Sequence, residues 1–169
     1  ATLEANTTGD QNNAFGHHAL DSNTTGNGNN AFGVHALGSN TTASNNAAFG
    51  ASALALNTTG NNNVAIGSFA MDASTTAHSS TCVGYDAGSA ITTGVFNTAI
   101  GLQALDALTT ESFNVAVGSG ALGTSNQSAN TAVGHNAAHN ASTAANLVCI
   151  GTDAGNSITS GGNNTIVGR

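Results

Sequence analysis

Sixteen side chains of this 169-residue chain belong to the types from which catalytic and metal sites are usually built: eight Asp/Glu, six His and two Cys. The carboxylates Glu4, Asp10, Asp21, Asp72, Asp86, Asp106, Glu111 and Asp153 stand singly along the sequence. Glycosidic hydrolysis needs two carboxylates at a fixed separation, and no pair recurs. His17, His18, His35, His78, His135 and His139 have no Ser, Cys or carboxylate arranged around them as a nucleophile–base relay. His18 and His35 are seventeen residues apart. If that interval is one turn of the chain, the two rings stack about 5 Å apart. Such a pair could hold a transition metal, but ordinary solvent-facing positions explain it as well. Cys82 and Cys149 have no second Cys or His at ligand spacing, which argues against zinc. The Gly-Gly-x-Gly-x-Asp pattern of calcium-binding β-rolls is also missing. The expectation is a protein that is not an enzyme and that uses no metal or cofactor.

Composition narrows the partners. The net charge is −7, Arg169 is the single basic residue other than His, and charged residues make up 5% of the chain against about 25% in ordinary domains. Nucleic acid needs Lys and Arg against its phosphates, so it is excluded as an expected partner. An anionic membrane surface is disfavoured for the same reason. No apolar run reaches the roughly 18 residues of a membrane span, so no membrane insertion is expected of this segment. There is no visible leader and no initial Met. The chain therefore reads as a piece of a longer, exported protein.

What organises these residues is a clock of glycines. Gly16, Gly33, Gly50, Gly67, Gly84, Gly101, Gly118, Gly134, Gly151 and Gly168 are separated by seventeen residues, with one interval of sixteen. A short strict period marks a repeat architecture whose units bury apolar surface by stacking on each other. With the glycine as position 0, position −1 is always bulky and apolar: Phe15, Phe32, Phe49, Ile66, Val83, Ile100, Val117, Val133, Ile150 and Val167. Position −2 is nearly always Ala or Cys, and −4 is usually Asn. Position +3 is always Ala, +4 is mostly Leu or Met, and a Thr pair follows in six consecutive units, from Thr24–Thr25 to Thr109–Thr110. Seventeen residues are too few for two helices and their turns but enough for two short strands and two corners. β-branched enrichment places one strand before the glycine. The glycine supplies a corner, where φ > 0 or close backbone approach is required. The predicted fold is all-β: a parallel β-solenoid of about ten coils at about 4.8 Å each. It occupies residues 1–169 as a single repeat domain, with the bulky −1 column as its core and side-chain amides of the −4 Asn column bonded from coil to coil.

Adjacent residues of a strand point to opposite faces, yet positions −2 and −1 are both apolar, as in Ala65–Ile66, and so are +3 and +4, as in Ala104–Leu105. One member of each pair fills the coil. The other makes an outer stripe too long to leave in water. Burial against copies of the same chain follows, most simply a homotrimer, with the small Ala column allowing close approach. The alternative is a wider single-chain coil that takes in both columns by bending at the corner.

Asn-Asn-Val-Ala-Ile-Gly-Ser-Phe-Ala-Met at 62–71 and Asn-Thr-Ala-Ile-Gly-Leu-Gln-Ala-Leu at 97–105 resemble the repeats of trimeric autotransporter adhesin heads. The longer unit, with Asn-Thr-Thr-Gly at 57–60, is similar to repeats in tail-fibre and surface-fibre proteins of phages and environmental bacteria. The resemblance covers essentially the whole chain. It implies a left-handed parallel β-roll with three chains side by side, and an extracellular fibre on a cell or virion surface that is often adhesive. The partners it implies are the chain itself and a host surface or glycan receptor. Separately, no polar cap is evident at either end of the solenoid, and such open edges invite either continuation of the chain or end-to-end joining of rods. Coiled-coil stalk, membrane anchor and chaperone domain, which accompany such heads in the family, are not in these residues.

Smaller features carry weaker readings. Cys82 and Cys149 share one column four coils apart, or about 19 Å, too far for a disulfide, so they read as small buried residues. Asn6, Asn23, Asn40 and Asn57 each precede Thr-Thr and match the glycosylation pattern, although such matches arise by composition here. The ranked Thr and Asn side chains suggest an alternative, a glycan- or ice-binding module. Adjacent Thr residues do not put both hydroxyls on one face of a straight strand, however. Between Gly118 and Gly134 the Thr pair is lost, and an irregular loop with strands in register is expected. Gly88 and Gly155 replace the +4 Leu, with Ile91 and Ile158 downstream to refill the gap.

Overall fold

The computed structural model describes residues 2–169. Each repeat contributes one strand of three residues: β1 (Asn13–Phe15), β2 (Asn30–Phe32), β3 (Ala47–Phe49), β4 (Val64–Ile66), β5 (Thr81–Val83), β6 (Thr98–Ile100), β7 (Val115–Val117), β8 (Thr131–Val133), β9 (Val148–Ile150) and β10 (Thr165–Val167). The ten form one parallel sheet in chain order, so each strand is bonded to the one a turn below and the one a turn above. The register is strict: Ala65 lies over Cys82 and Cys82 over Ala99. The chain is a parallel β-solenoid, with stacked Phe15, Phe32 and Phe49 rings 4.8 Å apart reporting the rise per turn. The sixteen-residue turn leaves Val115 over Thr131 and Val117 over Val133. The missing residue is absorbed entirely in the connection, as expected.

The second strand of each turn is not there. Positions +1 to +6 fold into consecutive turns instead. Ala104 N–H bonds to Gly101 O (3.3 Å), closing a turn of four residues. Its third residue, Gln103, has φ +54°, and Leu105 follows at φ +55°. The same alternation recurs at His18 and Leu20, His35 and Leu37, and Phe69 and Met71. Left-handed residues at +2 and +4 rotate the chain between them, so the strand rule of alternating faces fails here. Ala and Leu of each pair both point inward and are fully buried, as at Ala104 and Leu105. On this side the wider coil with bends is the geometry adopted.

On the strand side the assignment of the core is reversed. The interior is the small column of Ala31, Ala48, Ala65, Cys82, Ala99, Ala116, Ala132 and Cys149, all fully buried. The bulky column expected there, Phe15, Phe32, Phe49, Ile66, Val83, Ile100, Val117, Val133, Ile150 and Val167, lies on the outer face. Ile66 and Ile100 keep 42% and 40% of their surface, and Phe15 keeps 64%. The cause is volume. Leu or Met at +4 already fills the coil from the opposite wall, leaving room for a methyl or thiol.

The glycines at position 0 carry φ between +125° and +146°, values that a side chain rarely tolerates. They also stack backbone on backbone: a Cβ on Gly101 would meet C and O of Gly118 at 2.6 and 2.7 Å. Two amide ladders complete the interior. In the −4 column, Asn29 N–H donates to Asn12 Oδ1 and Asn46 N–H to Asn29 Oδ1. In the +7 column, Asn40 Nδ2 donates to Asn23 Oδ1 (2.8 Å) and Asn57 Nδ2 to Asn40 Oδ1 (3.1 Å). The ladders converge, because Asn29 Nδ2 and Asn40 Nδ2 both donate to Ala43 O. The +7 ladder stops at Asn57, whose buried Oδ1 has no partner, and the Ser74 hydroxyl above it has none either. Beyond them the column turns apolar, with Ile91 and Leu108 fully buried.

Candidate functional site

Two surfaces differ sharply. The outer face of the sheet shows positions −3 and −1. The −1 side chains form a continuous apolar stripe, with Ile66, Ile100, Val133 and Ile150 each about 36–42% exposed. Three stacked phenyl rings start it, with interplanar angles of 13° and 5°. No charge interrupts it from Phe15 to Val167.

The second surface is the run of turns. Read linearly, the acids and histidines are scattered, but the winding gathers them. Asp21, Asp72, Asp86, Asp106, Asp153, His17, His18, His35, His135 and His139 all fall at +1, +2 or +5. Glu4, one period before Asp21, shares the +5 phase, whereas Asp10, Glu111 and His78 lie elsewhere. Sorting titratable residues by their phase in the seventeen-residue period would have exposed this face. Reading them as singletons hid it.

The histidines at the first turns come together. His18 and His35 stack with ring centroids 5.1 Å apart, as the period implied, and His17 meets both at 3.9 and 6.0 Å. His18 Nδ1 lies 2.5 Å from Asp21 Oδ2. The neighbouring His18 holds the His17 imidazole below its ordinary value. Among the described residues, no group of three His, Cys, Asp or Glu side chains has metal-binding geometry.

Further along, the turn face opens into a depression of about 460 Å³ lined by Phe69, Asp72, Tyr85, Asp86 and Ser89 with two alanines. Phe69 and Tyr85 meet edge to face at 5.9 Å and 80°. Burial raises the Asp72 carboxyl above its usual range, and the charge of Asp86 adds to this. Asp106, in the next turn, is raised by burial as well, with Asp86 contributing. Phe69 occupies a left-handed position at φ +60°, where a bulky residue costs roughly 1–2 kcal/mol. Phe96 and Phe113 do the same at −5, at φ +57° and +64°. Their rings stack at 5.4 Å on another edge of the coil, where Asn45 and Asn62 stand in earlier turns.

Other candidates are absorbed by the fold. The first Thr of each pair donates its hydroxyl to the carbonyl of the Thr one turn on, from Thr24→Thr41 (3.0 Å) to Thr92→Thr109 (3.0 Å). These hydroxyls are engaged between coils, whereas the second Thr of each pair, from Thr25 to Thr93, stays exposed as an outward rank. The amides of Asn23, Asn40 and Asn57 are fully buried, so the folded chain withholds these acceptors from glycosylation. Cys82 and Cys149 are free and buried. Burial pushes the Cys82 thiol up to about 12 and raises that of Cys149. Each compensates a missing Leu: a Cβ on Gly88 would meet Cys82 Sγ at 2.7 Å and Ile91 Cδ1 at 2.8 Å. Beside Gly155 the corresponding atoms are Cys149 Sγ and Ile166 Cδ1, at 2.6 and 3.2 Å. Ile91 refills the first gap as expected, whereas Ile166 takes the closest place in the second.

The fold defines a parallel β-solenoid repeat protein with an apolar sheet face and a variable, acidic turn face. No family model matches the chain, and no curated protein and no solved structure matches it.

Proposed function

We propose that the chain is a segment of a homotrimeric extracellular fibre, a rigid rod that displays or attaches its bearer at a cell or virion surface. The carrying observation is the outer sheet face. Its uncharged Phe-Ile-Val stripe runs the length of the rod in strict register, a shape that three copies can bury along a common axis. Exposed apolar strips of this extent mark association surfaces in soluble proteins. The Asn-x-Ala-Ile-Gly repeats at 62–71 and 97–105 support the same arrangement by their resemblance to trimeric adhesin heads. The turn face then stays outward, where its varied residues meet the surroundings. The role is structural, with no catalysis.

Sedimentation velocity tests this on the whole chain beside the variant carrying Ile66→Asp, Ile100→Asp and Ile150→Asp together. The expected result is three chains for the parent and one for the variant, with the same far-ultraviolet spectrum. A parent that sediments as a single chain would overturn the proposal.

A further inference from the structure

The depression between the turns of Gly67 and Gly84 brings aromatic rings and carboxylates together on the turn face. Two aromatic rings form a corner open to solvent, Phe69 at 39% and Tyr85 at 51% exposure. Two carboxylates, Asp72 and Asp86, and the Ser89 hydroxyl line the same hollow. Nothing in the chain neutralises these charges. It has no Lys, and its one Arg, Arg169, lies five turns away, about 24 Å along the rod. A surface charge at that distance is screened out at physiological ionic strength, where the Debye length is about 8 Å.

Aromatic faces attract cations through their quadrupole, most of all cations too bulky to keep a tight water shell. Carboxylates beside them add attraction without demanding N–H donors. Sulfates, phosphates and acidic sugars are repelled by the same pair. A neutral sugar would find the rings but leave the carboxylates uncompensated. We propose that this corner binds an organic cation, an alkylammonium group with quaternary ammonium preferred, seated against Phe69 and Tyr85 and faced by Asp72 and Asp86. This site is separate from the sheet face, so it does not depend on self-association.

The test is a titration of the whole chain with choline, followed by the ring resonances of Tyr85 and by calorimetry. Ethanolamine is the primary-ammonium arm and 3,3-dimethylbutan-1-ol the uncharged isostere. Saturable binding of choline is expected, with the isostere and ethanolamine each about tenfold weaker. Asp86→Asn and Phe69→Asn should each weaken choline about tenfold. Asn is at home at the positive φ of Phe69, so that variant keeps its fold, which a thermal melt verifies. An isostere as tight as choline, unchanged binding by both variants, or no saturable binding in the millimolar range would overturn the site. Ethanolamine equal to choline would overturn the quaternary preference.

Discussion

The two walls of each coil are built from similar apolar pairs but obey different rules. On the strand side Ala65–Ile66 alternates, so one residue faces in and its neighbour faces out. On the turn side Ala104–Leu105 does not alternate, and both residues face in. The difference is backbone conformation. Extended residues on one wall impose a period of two, whereas left-handed residues at +2 and +4 on the other cancel it. Hence the strand wall exports an invariant apolar stripe, and the turn wall keeps its apolar atoms and exports whatever sits at +1, +2 and +5. Uniformity on one face and variation on the other suit a rod that recognises itself on the first and other molecules on the second.

The contrast can be broken most severely at its hinge. Gly101→Val should destabilise the chain by about 4 kcal/mol or more, because the side chain meets the Gly118 backbone and φ is +134°. Denaturant melts would register it as loss of the cooperative transition. Leu105→Ala, on the wall where both residues are buried, should cost about 3 kcal/mol. Ile100, its outward counterpart on the strand wall, is only partly covered within the chain. Ile100→Ala should therefore cost well under half as much in a chain held monomeric by Ile66→Asp and Ile150→Asp alone. Equal costs would erase the distinction between the walls.

A subtler test is electrostatic. Asp72 binds its proton more tightly in the folded chain than at its ordinary 3.8. A raised carboxyl pKa means that ionisation opposes folding above that value and has no effect well below it, where both states are protonated. Asp72→Asn should thus raise the melting temperature at neutral pH, and the gain should fade as pH falls toward 3.8 and be absent below it. The smallest effect is the most diagnostic in sign. Ala129 is exposed at φ +62°. Ala129→Gly relieves that strain and should stabilise by about 0.5 kcal/mol after the added freedom of the denatured chain is subtracted. In an ordinary extended segment the same change destabilises.

The glycine period made the solenoid legible, since residues one period apart had to stack. Which member of each pair faced inward was harder to read. The deciding signal was present at −3, which shares a face with −1 and ranges over Asn13, Ala47, Val64 and Thr81. Such tolerance belongs to an outer face, while −2 stays small and −4 stays mostly Asn, as a narrow interior requires. The turns were misread as a strand because left-handed His, Phe, Gln and Leu carry no compositional mark. Positive φ is usually sought at Gly and Asn. The acidic depression was invisible for another reason: its residues come from two repeats and are neighbours only after the chain has wound once.

One interruption in the interior has mechanical meaning. The amide ladder running through Asn23 and Asn40 ends at Asn57 and Ser74 with two unanswered acceptor or hydroxyl groups, each costing about 1–3 kcal/mol. Below that plane the +7 column is built of amides and above it mostly of apolar side chains. Of the two interior ladders only the −4 one, through Ser80 N–H to Asn63 Oδ1 and Asn97 N–H to Ser80 Oγ, carries side-chain bonding across. One interior ladder holds that level where the turns below have two, so a pull along the axis or a rise in temperature is expected to find the rod weakest there.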